Sequence, residues 1–312
     1  MGLFATVSLT VLVKANSETG VNNSTLGRSR LGLISIIALI LFSAVAVGGV
    51  RYGIGGVDSS VLKVVVIGWV AFGAMVGGAV PGARANETDP YGLVWGYGLA
   101  SGAMIMSAAM FLVPQAIGLA ASAGTPRFGG IGLAFGVIIG YSAHTIGHRL
   151  THYEFPMDIT GAQITAHALS AGAIIGIVYG SMPSLGLLLG LAIVSHKGPA
   201  GYAAARRLQR NGRSVAVLFV PAAAVGLTAI PTAVLPVPEQ PILNAVVFGF
   251  AAGIFLHVAM DFLPKCEAGS EIDQVLSMEE NSHHLLDQLR THAVGSTLAG
   301  SLIVVAAWIV IG

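Results

Sequence analysis

The sequence is poor in charge and almost without cysteine. Of 312 residues only 9% are charged and 54% are hydrophobic, whereas an average soluble domain carries about 25% charged residues. A water-facing surface cannot be built from so few. The formal net charge of +1 and the lack of any long basic run exclude a strongly basic nucleic-acid binder. Cys266 is the single cysteine, so no internal disulfide and no CxxC metal or redox motif exists. Residues 3–13 are apolar, but no cationic segment precedes them and no small-residue cleavage motif follows. They predict no cleavable signal peptide.

What is present is apolar sequence of membrane-spanning length, with a mean hydropathy of +0.81. Nine spans are predicted, at 31–50, 62–81, 91–120, 128–148, 158–181, 184–205, 214–236, 241–263 and 293–312, with 1–30 as a polar cytoplasmic tail. Each is long enough for a helix across about 30 Å of hydrocarbon. No period-2 alternation supports strands, and within lipid only helices or closed barrels pair every backbone group. An all-α polytopic membrane protein follows.

Lys and Arg residues are retained in cytoplasmic loops. With the N-terminus inside, the inner segments hold Lys14, Arg28, Arg30, Arg84, Arg149, Arg206, Arg207, Arg210, Arg213, Lys265 and Arg290, and the outer ones Arg51, Lys63 and Arg127. That eleven-to-three split predicts a cytoplasmic N-terminus and an external C-terminus in the cell membrane. The fifteenth cation, Lys197, falls inside a span.

Ionisable groups at membrane depth are costly and mark pathways. Here they are His167, His196, Lys197, His257 and Asp261, with His144 nearer a helix end. Gln163, His167 and Ala171 are spaced i, i+4, i+8 on one helix face, and Gly161, Gly172 and Gly176 permit close backbone approach. The next helix carries SHKGPAG at 195–201, where Pro199 frees the carbonyl of Ser195 and kinks the helix beside His196. Two imidazoles on adjacent helices can share one metal ion; the competing reading is hydrogen-bonded packing.

HALSAG at 167–172 followed by HKGPAG at 196–201 resembles the paired fourth- and fifth-helix motifs of the ZIP (ZRT/IRT-like) metal transporters, in the branch with an HKxPA fifth helix. GLASGAMIMSAAMFLVPQAI (98–117) resembles that family's second helix and FGFAAGIFLHVAMDFLPKC (248–266) its seventh. The resemblance covers 62–312 as an eight-helix bundle and leaves 31–50 as an added N-terminal helix. It implies a homodimer moving divalent metal toward the cytosol, with His167 and His196 as matching ligand positions and no bound cofactor besides the transported ion.

The departures concern charge. Where the family usually has a carboxylate four residues after the fourth-helix His, this chain has Ala171, and Ala200 stands where many members have Glu. Lys197 occupies a second-site ligand position, and an ammonium 4 Å from a unit cation repels it by about 4 kcal/mol at an effective dielectric of 20, twice that for a divalent ion. At most one metal fits. Gln163, Ser170 and Met106, with Met104 and Met110 beside it, are the replacement donors, and a neutral donor set favours zinc or copper over magnesium or calcium.

Two accessory groups complete the set. His144, His148 and His152 run i, i+4, i+8 toward the inner mouth with Asp158 close behind, suited to handing metal on or to forming an interfacial polar face. His257 and Asp261 are i, i+4, placed for a proton relay or for a surface ion link. The inner loop 265–292 carries six carboxylates with His283, His284 and His292 and reads as an amphipathic, solvated segment. No HExxH motif or nucleophile motif accompanies any of them, so an intramembrane hydrolase ranks last. The alternative to a transporter is a ZIP-like membrane protein that senses metal or serves as an assembly partner.

Overall fold

The computed structural model describes residues 25–54, 59–85, 89–150, 159–182, 187, 190, 194–235, 240–264 and 282–311. Every regular element among them is helical. They are α1 (Thr25–Ile54), α2 (Ser59–Arg84), α3 (Pro90–Ser107), α4 (Val113–Ser122), α5 (Arg127–Leu150), α6 (Ile159–Ser181), α7 (Lys197–Arg210), α8 (Phe219–Ala233), α9 (Pro241–Phe262) and α10 (Ser282–Ile311). Among the described residues seven spans are long and apolar enough to cross a membrane; α5 contributes a shorter apolar stretch, Arg127–Ser142. The chain is a multi-pass membrane protein.

Several ends differ from the sequence expectation for local reasons. α1 begins at Thr25, inside the stretch read as polar tail, and α10 begins eleven residues before its apolar run. A helix needs no apolar face once it leaves the lipid, so hydropathy marks the membrane crossing and not the helix. α3 and α4 are joined through a π-helical turn at Ala108–Leu112. Pro114 follows it, and its missing N–H cannot bond the Met110 carbonyl. In the span expected at 184–205, Leu187, Gly190 and Val194 are helical, Ser195 and His196 form a turn, and α7 starts at Lys197. The Ala200 N–H donates to the His196 carbonyl at 2.9 Å, so the ladder restarts one residue after the break that Pro199 imposes.

Glycine decides which helices pair. Gly172, Gly176 and Gly180 of α6 lie where a Cβ would meet Val225, Ala229 and Ala233 backbone oxygens on α8. Gly132 and Gly136 of α5 meet α9 in the same way, Gly78 and Gly82 of α2 meet α7, and Gly98 and Gly102 of α3 meet α10. Association between helices in lipid depends on packing and hydrogen bonds rather than on the hydrophobic effect, and small residues let backbones approach. Hydroxyls reinforce two of these contacts: Thr228 donates to the Leu169 carbonyl at 2.8 Å and Ser301 to the Gly102 carbonyl at 3.1 Å. Residue numbers rise together across all four contacts, so each pair runs parallel.

The pairs assemble into two groups. α1, α2, α6, α7 and α8 pack on one another, and α3, α4, α5, α9 and α10 form the second group; α3 against α7 and α6 against α9 are the main contacts between them. Arg206 fastens the first of these. Its guanidinium is buried, donates to the Asp89 carbonyl at 2.7 Å and to the Tyr202 hydroxyl at 3.2 Å, and lies 3.9 Å from the Asp89 carboxylate. Asp89 in turn caps α3 by accepting from the Tyr91 and Gly92 amides.

Candidate metal-binding site at the seam

Helix geometry aims the two histidines at each other. His167 precedes Gly176, the middle glycine of the α6 stripe, by nine residues, which is about two and a half turns. With the stripe held against α8, His167 faces the opposite way. His196 reaches the same place from the turn before α7. The two ring centres are 5.9 Å apart.

The pocket is closed by a residue from the other group. Phe255 of α9 stands edge-on to His196 with ring centres 5.3 Å apart, and 6.4 Å from His167. It follows Gly253, which packs on α5, by about 200° of helix rotation, so it turns away from α5. Both ring nitrogens of His167 are sealed from solvent and have no hydrogen-bond partner among the described residues. Buried polar groups are ordinarily paired, and an imidazole held this way has a lone pair ready for an ion.

Lys197 follows His196 and is buried to 2% exposure. Ala171 and Ala200 are buried as well. Ser170 is exposed, and its hydroxyl donates to the His167 carbonyl at 2.9 Å. Met104 is buried in the core and Met106 half-buried; two residues apart on α3, they face nearly opposite sides. Gln163 is on α6, with its side chain outside the described residues. Among the described residues no group of three His, Cys, Asp or Glu stands ready for a metal, so the pair of imidazoles is the centre of the site.

His257 is buried, and its Nε2 lies 3.2 Å from Asp261 Oδ2. It packs where a Cβ on Gly140 would approach its ring to 2.7 Å, and Tyr141 stands T-shaped to it at 6.3 Å. The sequence left relay and surface link open: His257 is enclosed, while Asp261 keeps a third of its side chain exposed. Helix α5 extends to Leu150 and carries His144 and His148. Their side chains, and His152 and Asp158 altogether, lie outside the described residues.

Sequence reading missed Phe255 and Arg206. A phenylalanine within an apolar helix carries no signal of what it covers. Arg206 counted only as an inner-loop charge, although Asp89 before Pro90 is a recognisable helix-start signature that needs a partner nearby. No family model matches the sequence, and no curated protein matches it.

Proposed function

We propose that this protein is a transition-metal transporter, with zinc the divalent candidate, carrying the ion toward the cytosol past His167 and His196. The observation that carries the reading is the position of the two imidazoles: they meet at midspan, in a seam between two helix groups, and neither ring nitrogen of His167 has a hydrogen-bond partner among the described residues. Alternating access needs a central site flanked by bodies that can shift against each other, and the two groups supply them. The resemblance of HALSAG and HKGPAG to the ZIP motifs supports the same assignment and the inward direction. His257 and Asp261, toward the end of α9, give the ion or its coupled proton a route out.

A second reading, metal sensing or assembly without transport, is favoured by the alanines at 171 and 200, which remove the charge a fast divalent carrier uses. Zinc uptake into proteoliposomes separates the two. Transport predicts flux that His167→Ala and His196→Ala each abolish. Binding without flux selects the sensor, and flux unaffected by both substitutions overturns the site.

A further inference from the structure

We infer that the His167–His196 site holds a monovalent soft cation of the Cu(I) class in preference to Zn(II). This rests on the transporter reading and names its substrate. The first argument is charge. None of the chain's fourteen carboxylates falls in the interior of an apolar span of the sequence; among the described residues Asp89 precedes α3, and Asp261 and Asp287 lie within the terminal two turns of α9 and α10. Asp261 is engaged with His257. Among the described residues no anion is positioned at midspan.

An ion there meets two imidazoles and the apolar Phe255 ring, with the buried Lys197 next to His196 in the chain. The cost of placing an ion in such surroundings rises with the square of its charge. Repulsion from Lys197 rises in direct proportion. A divalent ion therefore bears about four times the desolvation cost of a monovalent one and twice the repulsion.

The second argument is ligand number. Structural zinc takes four ligands in a tetrahedron, whereas Cu(I), a filled-shell soft ion, is content with two nitrogen donors in a line. Among the described residues two imidazoles are the donors present, and their ring centres, 5.9 Å apart, leave room for one ion between them. Donor number and charge agree.

The test uses the full-length protein in a Cys266→Ser background, which removes the one thiol that would compete. Cu(I) affinity is measured anaerobically against a chromogenic chelator, Ag(I) serves as a redox-inert second probe, and Zn(II) is measured in parallel. One Cu(I) per chain is expected, at least 100-fold tighter than Zn(II), and lost in His167→Ala and in His196→Ala. Lys197→Gln should tighten both ions, the fold-change for Zn(II) being the square of that for Cu(I), because the lost repulsion doubles with charge. Ala171→Asp should reverse the preference. If Zn(II) binds as tightly as Cu(I) and both depend on the two histidines, the monovalent assignment is overturned while the transporter reading stands. Should neither ion bind, or both bind after loss of the two histidines, the site itself is wrong.

Discussion

At the scale of single residues, the candidate site joins what the two helix groups contribute: from one, two imidazoles proposed to accept an ion, and from the other a phenyl ring set edge-on to His196. Phe255 is 2% exposed. Truncating a buried phenylalanine costs about 3–5 kcal/mol, so Phe255→Ala should lower the melting temperature in detergent and also speed metal dissociation, since water gains the face that the ring covers. Phe255→Leu should retain most of the stability, which separates packing from sealing. Asp261→Asn keeps an acceptor for His257 but removes its charge. On the transporter reading, which puts Asp261 on the exit side, uptake should fall severalfold while metal affinity at His167 and His196 stays within about twofold; a matched loss of affinity would place it in the site.

At the scale of elements, the four parallel pairs explain why so many glycines occupy so apolar a chain. A side chain at Gly176 would enter the Thr232 hydroxyl and the Ala229 carbonyl. Gly176→Leu should therefore separate α6 from α8 and abolish metal binding without touching a ligand, a result readable as loss of a cooperative melt. Thr228→Val removes the hydroxyl that bonds the Leu169 carbonyl across the contact and the Ala224 carbonyl within α8, and should cost about 0.6–2 kcal/mol. Much at this scale is legible in sequence. Spacing places His167 and Ala171 on one face, Pro199 marks the break beside His196, and hydropathy locates the crossings. Pairing is not legible, because α2 with α7, or α3 with α10, joins segments more than a hundred residues apart through backbone contact that leaves only a glycine behind. The same limit hid Phe255, whose role is set by which helix lies opposite it.

At the scale of the whole molecule, orientation and motion are the open quantities. The distribution of Lys and Arg predicts that a reporter at Gly312 reads as external and one at Asn211 as cytoplasmic; the same side for both would remove the N-in topology. The arginine that contributes to that count also has a mechanical consequence. The link between α2 and α3 spans only residues 85–89, and Arg206 of α7 grips its last residue, so the two groups are tied most tightly at that end. Ten residues of α7 and its preceding turn separate Arg206 from His196, a lever arm of about 15 Å. A tilt of about ten degrees about that fulcrum carries His196 through roughly 2.6 Å, farther than the length of a metal–nitrogen bond. On the transporter reading, such a tilt would carry His167 of α6 along with His196 and leave Phe255 behind, so that a small rotation at one anchored corner would uncover the proposed ion.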